Sequence, residues 1–367
     1  MSRRDEPPEE ADRLPVAPHP RETLALFGQE AAEAAFLAAA SAGRLPHAWL
    51  LTGPRGVGKA TLAWRIARAL LAGRAGKAGL DFDPDDPVAR QVAALSHPGL
   101  HLCRRPWDDK AGRLRAEIPV DAVRALIGFF RLSASDGGAR VAVIDAADEM
   151  NVSAANALLK LLEEPPAGGT LLLVSHRPAR LLPTIRSRCR ELRCQPLDPE
   201  ALARALSAAG APEARDPVAL AELAAGSVGA AFRLLSEGGL DLYEEIAGLV
   251  ATAPPIDRPR MIALAEATAR GPASRRDATF ELIQLALGRL ARAAAGAPVT
   301  PVSAAERRAF SRLAAGPQQA RLWAEAAARL AARADHARAV NLDPAQVILD
   351  TFLQIDAAAD EAARTAA

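Results

Sequence analysis

The sequence predicts an α/β domain with a parallel sheet and a phosphate-binding P-loop, followed by a small helical lid domain and an all-α C-terminal domain. Three observations indicate this fold. Strand-like apolar runs alternate with helical patterns from about residue 27 to 196, as in parallel α/β sheets. A glycine-rich loop follows the first of these runs. From about residue 241 onward the pattern is helical and rich in Ala, Leu and Arg.

The bounds of the predicted domains follow from the same patterns. We expect the α/β domain over residues 22–197, the lid over 198–238 and the C-terminal helices, which would serve as a collar or oligomerisation domain, over 239–367. Residues 1–21 are rich in Arg, Glu and Pro and contain no apolar signal-peptide core. This composition predicts a disordered lead-in.

The first strand, Ala48–Leu51, leads into the run Gly53-Pro54-Arg55-Gly56-Val57-Gly58-Lys59-Ala60-Thr61. In the pattern G-x-x-x-x-G-K-[ST], backbone N–H groups cradle phosphates, the lysine reaches the β- and γ-phosphates, and the next hydroxyl holds Mg²⁺. Thr61–Leu71 is predicted as the helix whose amino terminus faces the phosphates. The predicted nucleotide-binding residues are Gly53, Pro54, Gly56, Gly58, Lys59, Thr61 and Asp145.

Two groups that hydrolysis needs are missing from this pattern. Ala60 stands at the position of the metal-binding hydroxyl, and Thr61, one residue later, is rotated by about 100° around the helix. The predicted strand Arg140–Asp145 ends in a carboxylate, but Ala146 follows where many ATPases of this layout carry a glutamate that orients the attacking water. The sequence therefore predicts a degenerate nucleotide site that does not hydrolyse ATP.

What this site still does is left open by the residues. Lys59 and the glycines either bind ATP weakly without turnover or only preserve a turn. Asp145 either contacts a metal ion or caps nearby backbone.

Further elements complete the predicted domains. Val120–Phe130 has helical spacing, Asn151–Glu164 is predicted as a helix that ends before Pro165-Pro166, and Thr170–Ser175 is predicted as a buried strand. In the C-terminal domain, helix breaks are predicted near residues 254–255, 296–298 and 316–317, each of which contains proline. Five large apolar residues there form either an internal core or part of an oligomer collar: Trp323, Leu330, Val347, Ile348 and Phe352.

The run Ser187-Arg188-Cys189 follows the strand that ends at Ser175. Taken alone, Arg188 is typical of a surface salt bridge. An arginine at a subunit edge can also reach a neighbour's ATP and stabilise the charge that develops on the γ-phosphoryl group, which is worth about 10³–10⁵ in rate. Cys189 is predicted to be a small buried residue rather than a nucleophile, because no histidine-containing catalytic pattern accompanies it.

Composition excludes several classes of protein. The net charge of +1 gives no overall field that would attract nucleic acid or membranes. Three cysteines, at 103, 189 and 194, form no disulfide framework, and no run approaches the 18–20 apolar residues that a membrane span needs. We therefore expect a cytoplasmic protein that does not bind membranes.

The P-loop, the Asp145 strand, the run 156–166 and Ser187-Arg188-Cys189 together resemble the clamp-loader family of bacterial AAA+ subunits, over about residues 24–235. Motor subunits of that family carry an Asp-Glu pair where this chain has Asp145-Ala146. They also carry a sensor arginine in Gly-Ser-x-Arg, where this chain has Gly226-Ser227-Val228-Gly229. In these departures, and in having Ala60, the chain resembles the delta-prime branch of the family, within DNA polymerase III.

This resemblance implies a non-hydrolysing stator subunit that supports ATP-dependent loading of a sliding clamp in DNA replication. It implies that Arg188 is an arginine finger acting on the ATP of a neighbouring gamma/tau-type motor subunit. It further implies a delta subunit as partner, subunit contact by Glu163-Glu164, and indirect contact with the sliding clamp and primed DNA. The C-terminal helices would join a ring-shaped collar.

Two other functions stay open at this point. The first is an active AAA+ motor ATPase subunit of the clamp loader, against which Ala60, Ala146 and Gly229 count. The second is a stand-alone P-loop NTPase or kinase, which leaves Ser187-Arg188-Cys189 and the helical tail unexplained.

We expect no zinc and no cofactor other than weakly bound ATP. Many clamp-loader subunits hold zinc with four cysteines between the P-loop helix and the Asp strand. Residues 73–103 of this chain contain only one cysteine, Cys103. Because structural zinc needs about four clustered ligands, His97, His101 and Cys103 are predicted to be ordinary loop and strand residues.

Overall fold

The structure, a computed structural model, describes residues 10–14, 16–131, 138–236 and 238–366. Its contacts divide the described residues into two units. The first holds those up to Ala211 together with Ala225–Ala230, and the second holds Pro212–Ala224 and those from Ala231 onward. The predicted lid, 198–238, is thus shared between the two units, and its being a domain of its own stays a prediction.

The first unit is built on seven strands: β1 Ala48–Thr52, β2 Leu100–Arg104, β3 Trp107–Asp108, β4 Arg113–Leu114, β5 Arg140–Asp145, β6 Gly169–Val174 and β7 Arg190–Arg193. Its helices are α1 Glu30–Ser41, α2 Lys59–Leu71, α3 Pro87–Ala93, α4 Val120–Arg131, α5 Val152–Glu163, α6 Pro183–Arg186 and α7 Pro199–Ala208, with short 3-10 helices at Ala147–Glu149 and Pro178–Arg180. The remaining helices are α8 Pro217–Ala224, α9 Val228–Ser236, α10 Gly239–Thr252, α11 Arg258–Arg270, α12 Ala273–Ala294, α13 Ala304–Leu313, α14 Pro317–Ala339 and α15 Pro344–Ala366.

Five parallel strands form the central sheet, in the order β2-β5-β6-β1-β7. The central strands β1, β5 and β6 are apolar and buried because helices cover both faces of the sheet. The register pairs Leu51 with Val174, Asp145 with Val174, and Arg104 with Asp145. The carboxyl ends of β1, β2, β5 and β6 therefore meet at one edge, which we call the carboxyl edge.

The predicted helices form where their local signals indicate. Asn151 caps α5 by accepting a hydrogen bond from the N–H of Ala154 at 2.9 Å, and Pro165-Pro166 follows the helix. In the C-terminal part, α10 ends at Thr252, α12 at Ala294 and α13 at Leu313, next to the predicted breaks. The predicted α/β sheet and the all-helical C-terminal region are confirmed.

Helices α10–α15 belong to the second unit and have a core of their own. Trp323, Leu330, Ile348 and Phe352 are buried, whereas Val347 is only half-buried. The indole N–H of Trp323 donates to the carbonyl oxygen of Leu313 at 3.0 Å. These side chains thus form an internal core, while a collar role for the helices stays a prediction. Within the described ranges, no helix combines the length and apolar character needed to cross a membrane.

The segment predicted as a disordered lead-in differs from that expectation where the structure describes it. Residues 10–14 and 16–21 turn back onto the sheet, with His19 buried. Ion pairs of Glu10 and Asp12 with Arg104 hold them there, and composition does not reveal such pairs because the partners lie about 90 residues apart. Residues 1–9 and 15 lie outside the described part of this segment.

Candidate nucleotide site and arginine finger

The P-loop joins β1 to α2 through residues in conformations that favour glycine. Gly53, Gly56 and Gly58 have φ values of 137°, 80° and 102°. A Cβ at Gly53 would collide with the carbonyl oxygen of Cys194, and one at Gly56 with the Ser227 hydroxyl. The glycines are therefore needed for the loop to lie close to its neighbours in this unit.

Lys59 is buried at the first position of α2, and its ammonium group bonds to the loop itself. Its Nζ donates to the carbonyl oxygens of Gly53 at 2.7 Å and Pro54 at 2.5 Å. Burial lowers the pKa of Lys59 to about 8. An ammonium has three protons and these carbonyls hold two, so a phosphate would meet one free proton, and would have to displace the loop to bind more of them.

Hydrogen bonds from elsewhere in the first unit, two from side chains and one from backbone, hold the loop in this form. The hydroxyl of Ser227 donates to the carbonyl oxygen of Arg55 at 2.9 Å, and the N–H of Gly229 donates to that of Gly56 at 3.2 Å. Gln29 is buried and donates to the carbonyl oxygen of Val57 at 2.9 Å. The segment with Gly229 in place of a sensor arginine thus bonds to the loop backbone.

Asp145 ends β5 at the same carboxyl edge and is buried. Burial and, to a lesser extent, the nearby charge of Asp12 raise the pKa of its carboxyl to about 7, against the opposing charge of Lys59. The structure therefore brings Asp145 and the P-loop together, as the sequence predicts. The contacts of these residues with nucleotide stay a prediction.

The other acidic residues after β5 are already engaged. Asp148 accepts hydrogen bonds from the backbone N–H groups of His176 at 2.8 Å and Arg177 at 3.2 Å, one on each carboxylate oxygen. Glu149 forms an ion pair with Arg105 at 2.6 Å. Since Ala146 offers no carboxylate, and the two acids that follow it in the chain are tied to the protein, neither of them is free to replace the missing glutamate.

His176 follows β6 and points toward the same region. Burial and, to a lesser extent, the nearby charge of Lys59 lower its pKa to about 4. Sequence reasoning missed His176, Asp148 and Gln29. Only the strand-end position of His176 could have indicated a place at the carboxyl edge.

Arg188 lies at the opposite edge of the sheet. It precedes β7, which starts at Arg190 opposite Trp49 near the beginning of β1, whereas the P-loop leaves the end of β1. From the level of Trp49 to Gly53 the strand rises by about 13 Å, at ~3.3 Å per residue. Arg188 is therefore separated from the P-loop of its own chain by most of the sheet.

Arg188 is half-exposed and makes two polar contacts. Its Nη2 lies 2.9 Å from Oε1 of Glu163, and its Nη1 donates to the carbonyl oxygen of Thr184 at 3.1 Å. The neighbouring Cys189 packs against the core cluster that contains residues of α5 but is half-buried, so it is less enclosed than predicted. Burial raises the pKa of its thiol to about 12.

The three residues considered for zinc have other surroundings. Cys103 is buried in β2, the ring of His101 stacks on Phe129 at 5.3 Å between centroids, and Nδ1 of His97 accepts from the N–H of Gly99 at 3.0 Å. Among the described residues, no group of three or more His, Cys, Asp or Glu side chains could hold a metal ion.

Comparison with known proteins matches the region that holds this site. Residues 28–198 match the family model described as DNA polymerase III, delta subunit. A DNA polymerase III subunit delta' of Pseudomonas aeruginosa is 44% identical over 148 residues, which cover 40% of this chain and 43% of the relative. The subunit delta' of Bacillus subtilis is 33% identical over 159 residues, 43% of this chain and 45% of the relative.

A gamma/tau relative is also similar. The DNA polymerase III subunit gamma/tau of Mycobacterium bovis is 31% identical over 174 residues, which cover 44% of this chain and 27% of the relative. The chain thus spans less than half the length of the curated relatives it matches. Over the matched region, the resemblance to delta-prime subunits of DNA polymerase III is confirmed.

Proposed function

We propose that this chain, with its delta-prime-like region, is a non-hydrolysing stator subunit of the DNA polymerase III clamp loader. It would support ATP-dependent loading of a sliding clamp without turning over ATP itself. Its partners would be gamma/tau-type motor subunits and a delta subunit, with indirect contact to the clamp and primed DNA.

One observation carries the proposal: the nucleotide site lacks the side chains that hydrolysis needs. The bonding of its lysine to its own loop supports the same conclusion. Ala60 and Ala146 offer no side-chain oxygen for Mg²⁺ or for the attacking water. Lys59 donates to the carbonyl oxygens of Gly53 and Pro54. A site in this form supports a fixed subunit better than a motor.

The position of Arg188 supports a role in trans. An arginine finger must reach a γ-phosphate, and the P-loop of this chain lies at the far end of β1 from Arg188. Arg188 is half-exposed at the sheet edge, where a neighbouring subunit could approach it. We therefore assign it to the ATP of a gamma/tau-type neighbour.

Steady-state ATP hydrolysis by the purified chain with Mg²⁺ tests the first half of this proposal. We expect the wild type and Lys59→Ala to show the same background rate. Turnover by the wild type above that background would restore the motor ATPase as the function and overturn the stator role.

The second half is tested in a complex with gamma/tau-type and delta subunits. Arg188→Ala should slow hydrolysis at the adjacent motor site by about 10³-fold or more. Arg186→Ala, which removes an exposed arginine from the same turn, is the matched control and should leave the rate unchanged. Equal rates for the two variants would contradict the finger. A chain that stays a monomer beside these subunits would instead favour a stand-alone P-loop enzyme.

A further inference from the structure

Residues 10–14 and 16–21, which we call the strap, precede the region matched by the family model and lie against the carboxyl edge of the sheet. The role inferred for the strap concerns access of nucleotide to the site and not hydrolysis, so it goes beyond the proposed function. It is attached at two places, the P-loop helix α2 and the end of β2, where Arg104 is in register with Asp145.

The first attachment is to α2, the helix that begins at Lys59. Arg68 of α2 is fully buried, and its guanidinium donates to the backbone carbonyl oxygens of Arg21 and Thr23. Arg65, one turn earlier, donates to that of Leu24. A buried guanidinium requires acceptors, so these bonds fix the end of the strap to the P-loop helix.

The second attachment is to Arg104 at the end of β2. Its guanidinium pairs with the carboxylates of Glu10, at 2.8 Å, and Asp12. Arg21 adds a pair with Glu10 at 3.1 Å. The Asp12 carboxylate is fully buried, and charge-assisted hydrogen bonds of this kind are the stronger ones.

Between these attachments, the strap lies near Asp145 on one side and near the backbone that contacts the P-loop on the other. Arg104 pairs in register with Asp145, and Asp12, bound to Arg104, lies close enough for its charge to raise the pKa of Asp145. On the other side, Cδ2 of Leu14 lies 3.9 Å from the place of a Cβ at Gly229, whose N–H bonds to the carbonyl oxygen of Gly56 in the P-loop. A nucleotide entering between Asp145 and the loop would meet these residues. The carboxylate of Asp12 would also repel its phosphates.

We propose that the strap, held by the ion pairs of Glu10 and Asp12 with Arg104, closes the degenerate nucleotide site and keeps nucleoside triphosphates out. Release of the strap exposes the loop glycines and Lys59. The site then binds nucleotide without the groups needed to hydrolyse it.

The test uses the full chain with Glu10→Gln/Asp12→Asn, which removes both carboxylates and keeps the side-chain shapes. Binding of a fluorescent ATP analogue, displaced by unlabelled ATP, should become at least tenfold tighter than in the wild type. Trypsin cleavage after Arg13 should become at least tenfold faster. Glu117→Gln/Asp121→Asn, which removes two exposed carboxylates from the same unit, is the charge-matched control and should change neither value.

A third variant locates the binding. Adding Lys59→Ala to the strap variant should abolish the gain in affinity while cleavage after Arg13 stays fast. Faster cleavage without tighter binding would overturn the strap as the closure. Unchanged cleavage would overturn the role of the ion pairs, and a gain that survives Lys59→Ala would place the binding elsewhere and overturn the proposal as well.

Discussion

The guanidinium of Arg188 lies 2.9 Å from the carboxylate of Glu163, the last residue of α5. A negative charge is unfavourable there because the carboxyl end of a helix carries a partial negative charge. Arg188 offsets this cost, and the pair holds the proposed finger at the edge of the sheet. The same carboxylate also competes with a phosphate for Arg188.

We therefore expect Glu163→Gln to favour engagement of a neighbour's ATP. Since an exposed ion pair contributes up to about 1 kcal/mol, hydrolysis by the motor partner should rise by up to about fivefold, with little change in the Tm of this chain. The measurement is ATPase activity of the reconstituted complex beside thermal unfolding of the free chain. A fall in partner activity would show that Glu163 is needed to position Arg188.

The contrast between α5 and β7 shows which parts of the fold the sequence could predict. The helix was predicted within one residue at each end, because Asn151 and Pro165 are local signals. Strand β7 was missed because it is an edge strand in which only Leu192 is buried, so Arg190, Glu191 and Arg193 hide the apolar pattern.

The site was predictable to a similar extent. The P-loop and Asp145 could be placed together because both follow buried strands whose carboxyl ends meet at one edge. The contacts of Asp12 with Arg104, and of Ser227 with Arg55, join residues 92 and 172 positions apart. No pattern in one sequence encodes such pairs, so the closed form of the site could be found only in three dimensions.

The packing around Gly56 gives a prediction about stability. Gly56→Ala places a Cβ against Ser227 and Gly229, in addition to the strain of a φ of 80°. Left-handed backbone costs about 1–2 kcal/mol and overpacking about 1–3 kcal/mol more. Gly168→Ala is the matched control, because φ is 69° there and its Cβ would meet open space. Urea unfolding should show a larger loss for Gly56→Ala, and equal losses would mean that the loop moves freely away from Ser227.

The second unit contains a buried ion pair whose removal should be costly. Arg289 Nε lies 2.7 Å from Oε1 of Glu306, which also accepts a hydrogen bond from the Tyr243 hydroxyl at 2.5 Å. Arg289→Met leaves the buried carboxylate without its countercharge, so we expect a loss of about 3–5 kcal/mol in the free energy of unfolding.

Two further variants separate burial from charge in that unit. Arg289→Met/Glu306→Gln should recover part of the loss, because no buried charge is then left alone. Arg333→Met, which breaks an exposed pair with Asp350 at 2.7 Å, should cost less than about 1 kcal/mol. The measurement is denaturant unfolding. If Arg289→Met and Arg333→Met lost similar amounts of unfolding free energy, burial of the first ion pair would not be the reason for its large contribution.

The raised pKa of Asp145 predicts how the effect of this carboxyl on the free energy of unfolding depends on pH. Below about pH 4, the carboxyl is protonated in both the folded and the unfolded chain. Between about pH 4 and 7 the unfolded chain releases a proton that the folded chain retains, because the pKa in the folded state is about 7. This group therefore lowers the free energy of unfolding as the pH rises through that window, and the full cost is present above it.

Asn keeps the shape of the side chain and cannot ionise, so Asp145→Asn should be more stable than the wild type at pH 8 and gain little at pH 4. The measurement is the Tm of both chains at half-unit steps from pH 4 to 8, with the difference growing mainly below about pH 7. Lys59, with its pKa lowered to about 8, acts in a separate window, since the unfolded chain binds the extra proton only above pH 8. A Tm difference that stays constant from pH 4 to 8 would show that Asp145 is ionised in the folded chain throughout, and that Lys59 and Arg55 outweigh burial at this carboxyl.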